Sequence, residues 1–384
     1  MRIYFKNLDG IRFIAALLVV LHHAQFFKGR YGLGSLDFLH HTLETGRTGV
    51  NLFFVLSGFL ISYLLMEENE KSGTINFKNF YIRRMLRIWP LYLAYGISLT
   101  LLAPFVFTKL GFPALTDMGT ILTNLLFLLL FAVNFQLAFF PYNTGILEIT
   151  WSVCVEEQFY LLWPLVLLLF RNRLKQLFVS MLALGVLSKL LLFIIPSVFN
   201  VPTQRMLDIN YLMLFDKLEL FGSGMFGAYI LFHRHRYTAF LQKFFTRPMQ
   251  WLMLSITVLV VFNVLKSEFV SHYYLDNFIH AGLFAYLMMA AVSENCVFNL
   301  EYPVLRTLGK VSYGIYLFHT PVCQLVMLAF MKVFTNLHSI VVYDLLYPAV
   351  CVGVTCIIAY YSYELFEKHF LKLKTKFAFL HTRI

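Results

Sequence analysis

The chain has 384 residues, 59% hydrophobic, 18% aromatic and only 13% charged, with a mean hydropathy of +0.71. Soluble domains carry about 25% charged residues, so this composition excludes a soluble enzyme and leaves little room for a soluble domain. The formal net charge of +11 is then assigned to cytoplasmic loops and anionic lipid head groups, not to nucleic acid.

Apolar stretches recur near 11–27, 49–66, 89–107, 119–140, 151–170, 177–195, 212–232, 250–265, 278–292, 311–334 and 339–366. About eleven of them have spanning or near-spanning length. The basic start leads into the first run with no small-residue cleavage site after it, so no cleaved leader is expected. Lys and Arg cluster at 2–12, 78–87, 171–175, 234–247 and 368–376. The positive-inside rule places all five clusters in the cytoplasm. Three apolar stretches lie between the second and third clusters, and three crossings cannot return a chain to its starting side. Either 89–107 or 119–140 fails to cross fully, or the two are partly re-entrant. The expected fold is an all-α polytopic membrane protein with about ten transmembrane helices, a re-entrant segment and both termini cytoplasmic. Residues 6–370 form one transmembrane domain and 371–384 a short basic tail on the inner membrane surface. No fixed-period repeat is evident, which weakens an inverted-repeat transporter reading. Cys154, Cys296, Cys323, Cys351 and Cys356 lie in or beside apolar segments without a C-x-x-C pair. They read as buried thiols, and no metal site is expected.

The first element, LDGIRFIAALLVVLHH (8–23), carries ionisable groups in an apolar run. From Arg12 to His23 a helix turns through about 1100°, about 20° from three full turns, so the two share one face roughly 16 Å apart. Such groups in a membrane helix face a protein interior or a water-filled cavity, here one wall of a polar shaft. Arg snorkelling with a satisfied buried His is the plainer alternative. His23 titrates near neutrality and suits proton exchange, and His22 points about 100° away. The second element, GVNLFFVLSGF (49–59), places Asn51 at the depth of His23. Ser57 and Gly58 lie near mid-membrane, where small residues serve close helix packing.

In FYIRRMLRIWPLYL (80–93), Arg84 and Arg87 share a face, with Arg83 close to Arg87. Arginine grips phosphate bidentately, so this cytoplasmic cluster suits a phosphorylated ligand; lipid anchoring is the alternative. Pro90 is expected to turn the chain into the next helix. In WSVCVEEQFYLLWP (151–164), Ser152 and Glu156 lie on one face at the outer end, and Glu157 and Gln158 continue a polar ring. A Glu here can orient a His as a triad acid does, or pair with a basic neighbour. In VSYGIYLFHTP (311–321), His319 reads as a core histidine bonded to a carbonyl freed by Pro321.

These five segments, in this order and approximate spacing, resemble the membrane acyltransferase-3 family over nearly the whole chain. The resemblance implies about ten membrane helices and transfer of an acyl group, usually acetyl, from cytoplasmic acyl-CoA. The acceptor it implies is a hydroxyl of an exported or surface carbohydrate or glycolipid, including lipopolysaccharide, or sometimes of a small molecule. The family's Arg-x10-His pattern falls on Arg12 and His23, and its R-x-x-R on Arg84 and Arg87, implying contact with CoA phosphates. Its outer-end Ser and Glu fall on Ser152 and on Glu156 or Glu157. Many members carry Asp where this chain has Asn51, which puts a carboxylate role there in doubt. Some members carry a fused extracytoplasmic hydrolase-like domain. This chain is expected to complete transfer alone or with a separate extracytoplasmic partner.

The expectation is therefore an acyl-CoA-dependent O-acyltransferase of a bacterial inner membrane, with acetyl-CoA as donor substrate. His23 acts as general base or transient acyl carrier and Glu156 orients it or the acceptor. Arg84 and Arg87, with Arg83, hold the donor. Direct transfer and an acyl-enzyme both stay open. The rival readings are a flippase for a lipid-linked sugar or acyl group, and a structural partner in an export complex.

Overall fold

The computed structural model describes residues 2–33, 45–109, 118–140, 145–199, 202–265, 275–334, 341–377 and 381–382. A two-residue strand β1 (Arg2–Ile3) precedes α1 (Leu8–Arg30), α2 (Gly46–Ser72) and α3 (Phe77–Lys109). Two short helices follow, α4 (Met118–Leu129) and α5 (Val133–Phe139). A 3-10 turn, Gly145–Thr150, leads into α6 (Trp151–Leu169), and α7 (Leu174–Phe199) and α8 (Thr203–Leu212) come next. Then come α9 (Leu218–Phe232), α10 (Thr238–Phe244), α11 (Arg247–Val261), α12 (Asp276–Ala291), α13 (Pro303–Lys310) and α14 (Ser312–Val333). A π-helical turn, Val341–Leu346, opens α15 (Tyr347–Ser362), and α16 (Lys368–Lys374) and the strand β2 (His381–Thr382) end the described chain.

Among the described residues, seven helices are long and apolar enough to cross a membrane. An eighth span results if α10 and α11, bent by 77° with the preceding turn, count as one. That is fewer than the ten or so expected from hydropathy; α4 and α12 are apolar helices too short to count among the spans. The protein is an all-α polytopic membrane protein, and its outward faces suit lipid: Leu161, Leu165 and Leu169 of α6 are exposed while Cys154, Phe159 and Trp163 are buried.

Of the two stretches offered as incomplete crossings, 119–140 is the broken one. Its first helix ends after 12 residues and the chain reverses its local twist at Phe131, φ 52°. Twelve residues rise about 18 Å, short of a hydrocarbon core of about 30 Å. The expected turn at Pro90 does not occur. α3 runs through it as one 33-residue helix. Neighbouring groups in a membrane bundle re-satisfy what a proline frees, and here α3 is held on the bundle side by buried Ile88, Leu91, Tyr92 and Tyr95.

α2 is the central helix. It packs on α1, α9, α12 and α6. Its approach to α9 depends on two glycines: a Cβ on Gly58 would strike the backbone of Phe221, and one on Gly224 the carbonyl of Val55. The expectation that Gly58 serves close packing thus holds. β1 pairs in parallel with β2, Arg2 opposite His381, so the two ends of the chain meet. The basic tail is folded, not free: α16 packs on α3, and positions 378–380 and 383–384 lie outside the described residues.

Candidate active site

Five helices enclose a first cavity, with about 100 Å³ for water-sized molecules. α1 contributes Arg12, α2 Ser57, α3 Arg84 and Arg87, α6 Ser152, Glu156 and Tyr160, and α14 Ser312, Tyr313 and Tyr316. The α6 positions are four apart, so successive turns present one polar row. The Ser57 hydroxyl donates to Glu156 Oε1 at 2.7 Å and lies 2.9 Å from the Tyr160 hydroxyl. The Arg84 guanidinium sits 5.6 Å from the Tyr160 ring centroid and 5.8 Å from that of Phe80. Its Nε is buried with no hydrogen-bond partner among the described residues. Arg12 is tied to Asp9 at 2.6 Å. With Arg12 paired to Asp9, Arg84 and Arg87 still outnumber Glu156 in the lining, so the cavity carries an excess of positive charge. An orphaned guanidinium nitrogen beside Arg87 suits a phosphorylated ligand, since bidentate phosphate would satisfy it.

A second cavity, about 760 Å³, lies against the first. His22 and His23 at the far end of α1 line it with Gly46 and Arg47 of α2, Glu148, Trp151 of α6, and Arg205, Asp208 and Tyr211 of α8. Trp151 and Tyr211 form a ring pair with centroids 4.8 Å apart, and Lys217 Nζ lies 4.2 Å from the Tyr211 centroid.

The histidine chemistry follows from hydrogen-bond partners. His319 Nδ1 meets the Tyr316 carbonyl, so it carries the proton and donates. Its Nε2 is then a lone pair, and it accepts from Thr320 Oγ1 and from His23 Nδ1, each at 3.2 Å. His23 Nδ1 also donates to the Val19 carbonyl at 2.9 Å. With Nδ1 protonated, the basic lone pair of His23 is on Nε2. His23 thus engages Val19 and His319 through Nδ1 and leaves Nε2 for the wall of the larger cavity, the arrangement a general base needs.

Next to these cavities lies a buried charge network. Lys189 pairs with Asp216 at 2.7 Å and Glu219 at 2.6 Å, and Lys217 with Asp216 at 2.6 Å. Two cations face two carboxylates, so the network is neutral overall, as its burial in a membrane bundle requires. Asn277 Nδ2 donates to Asp216 Oδ2 at 3.2 Å and to the Asp216 carbonyl at 3.0 Å. Its Oδ1 accepts from Asn51 Nδ2 at 2.9 Å, and Asn51 lies 3.0 Å from His280 Nδ1. Asn51 thus ties α2 to α12 and lines neither cavity.

The structure brings together Arg12, Arg84, Arg87, Ser152 and Glu156, and sets His23 apart from them. Glu156 does not orient His23. It lies more than a turn deeper along α6 than Trp151 and is taken up by Ser57, while His23 has His319. Ser152 faces the Tyr316 hydroxyl at 2.6 Å. Arg83 is not at the cavity: it pairs with Glu68 at 3.0 Å and donates to the Phe377 carbonyl at 2.8 Å, which pins the tail. Arg12 and His23 do share a face, as their spacing predicts, but each lines a different cavity along it. Tyr160, Tyr316 and His319 were not assigned functional roles from the sequence. The spacing 152–156–160 signals the first, and 316–319 the other two. The cluster at 205–211 carries no motif that would announce it.

Comparison with known proteins agrees with this architecture. The sequence model of the acyltransferase-domain family matches residues 5–363. The chain is 26% identical to the peptidoglycan O-acetyltransferase OatA of Listeria monocytogenes over 84% of this chain and 50% of that protein. It is 27% identical to the protein named "Putative peptidoglycan O-acetyltransferase YrhL" of Bacillus subtilis, over 95% of this chain and 54% of that one. The chain thus spans about half the length of the curated relatives it matches. No solved structure matches it. With a family match running from the first helix through α15 and five motifs gathered around two adjoining cavities, the chain belongs to the membrane acyltransferase-3 family.

Proposed function

We propose that this chain is an O-acetyltransferase that takes acetyl from acetyl-CoA held at the arginine cavity and delivers it to a carbohydrate hydroxyl in the histidine cavity. The observation that carries the reading is the placement of the two cavities. A cationic one with an orphaned Arg84 nitrogen abuts a roomy one with the His23 imidazole on its wall. The donor's phosphates lie on Arg84 and Arg87. Ser57, Glu156 and Tyr160 line the path of the pantetheine arm. His23 Nε2 removes the proton from the acceptor hydroxyl as its oxygen attacks the thioester carbonyl. The new C–O bond forms, the C–S bond breaks, and the proton passes back from the imidazolium to the CoA thiolate. The charge that develops on the oxyanion and thiolate is discharged when the imidazolium returns its proton.

The names of the relatives favour peptidoglycan over lipopolysaccharide as the acceptor's class. A ring pair such as Trp151–Tyr211, backed by a cation, suits the flat apolar face of a sugar. The meeting of the two chain ends, beside basic residues 2–12 and 368–376, supports both termini in the cytoplasm of a bacterial plasma membrane.

The test uses the full chain in nanodiscs with radiolabelled acetyl-CoA and peptidoglycan fragments. Label is expected on the glycan, with equimolar free CoA, and both are lost in His23→Ala while acetyl-CoA still binds. Full transfer by His23→Ala would overturn the mechanism. A wild-type protein that moves glycan or acetyl without releasing CoA would turn the reading into a flippase.

A further inference from the structure

We infer that Val50 and Tyr316 form the neck between the two cavities and set the length of acyl chain that the protein transfers. This rests on the acetyl-CoA reading above and adds a selectivity element to it. Among the described residues, these two line both cavities. An acyl group passing from the arginine side to His23 therefore passes between them.

One side of the neck is fixed. The Tyr316 hydroxyl is bonded to Ser152 Oγ at 2.6 Å and to the Ile149 carbonyl at 2.9 Å. Its ring meets Phe53 edge-on with centroids 6.1 Å apart. Its carbonyl accepts the His319 Nδ1 proton. A ring held at its hydroxyl and packed against Phe53 swings aside only by giving up its bonds to Ser152 and Ile149. The other side is the isopropyl group of Val50, near the end of α2 that carries Gly46, and 7% exposed. A passage bounded by a held phenol and a β-branched side chain, itself limited in rotamer, selects for a small apolar group. Each further methylene of the acyl chain has to displace Val50. A methylene in an apolar site is worth about 10–200-fold in discrimination.

The experiment measures CoA release and glycan acylation with acetyl-, propionyl- and butyryl-CoA, using the full chain in nanodiscs. The wild type is expected to prefer acetyl over butyryl by about 10-fold or more, and Val50→Ala to shrink that preference by about 10-fold. Val50→Phe is expected to transfer no acyl group from any of the three donors. An unchanged chain-length profile in Val50→Ala, with acetyl transfer retained, would overturn the neck and leave the donor reading intact. Absence of CoA release from any donor by the wild type would overturn both. Val50→Ala removes only two methyl groups, so it keeps the test valid if Val50→Phe does not fold.

Discussion

A histidine acts as a base only if its tautomer and its neighbours leave one lone pair exposed, and His23 meets that condition through His319. The first prediction concerns this support. His319→Phe keeps a ring in the core but removes the acceptor for the His23 Nδ1 proton. Glycan acetylation is expected to fall by about 10- to 100-fold with the affinity for acetyl-CoA unchanged, since a positioned base contributes about 10²–10⁴ in all. Equal loss of donor affinity would assign His319 to packing. A second prediction concerns the arginines. Arg87→Gln is expected to raise the half-saturating acetyl-CoA concentration by about 10-fold and to weaken its salt dependence. Arg83→Gln is expected to leave it unchanged, because Arg83 is occupied by Glu68 and Phe377. At this scale the sequence was legible where a face is set by helical spacing. Arg12 and His23, Arg84 and Arg87, Ser152 and Glu156 each fall on the face that their numbers demand. Partnership across helices was not legible: nothing in the linear order says that Glu156 meets Ser57, 99 positions away, or that His23 meets His319, 296 positions away.

Helices in this bundle are tied by buried polar groups whose charge and donor count have to match, because no water is present to correct an error. Asn277 shows the constraint. Its Nδ2 is committed to Asp216, so its Oδ1 faces Asn51 and requires a donor there. Asn51→Asp would place an oxygen against that oxygen and add a negative charge to a balanced network. It is expected to cost about 1–3 kcal/mol, read as a lower thermal-unfolding midpoint in detergent, with Asn51→Ala losing less. An Asp variant as stable as the wild type would mean that the network is wired differently. In this chain Asn51 is engaged in the bonds that tie α2 to α12. Element boundaries were legible from hydropathy for α1, α2, α6 and α14. Two features were not. Pro90 reads as a turn, yet packing carries α3 through it. The break at Phe131 has no proline or glycine to mark it; the left-handed residue stacks on Tyr92 and its carbonyl accepts from Gln158 Nε2.

The whole molecule sets an arginine-lined cavity against a larger histidine-lined one, and the pairing of β1 with β2 brings Arg2 beside His381. On the function proposed above, this arrangement would carry an acetyl group across a barrier between Val50 and Tyr316 while nucleotide and glycan stay on their own sides. Sidedness is the property this predicts. In sealed proteoliposomes with the protein oriented by affinity capture of a tag on its N-terminus, acetyl-CoA is expected to work only from the compartment that holds the termini. Peptidoglycan fragments are expected to be acetylated only in the opposite compartment. The arrangement has a control: Val50→Phe is expected to abolish transfer in both configurations. Transfer with donor and glycan in the same compartment would mean that the two cavities open to one side. The wall between them would then be packing and not a membrane barrier.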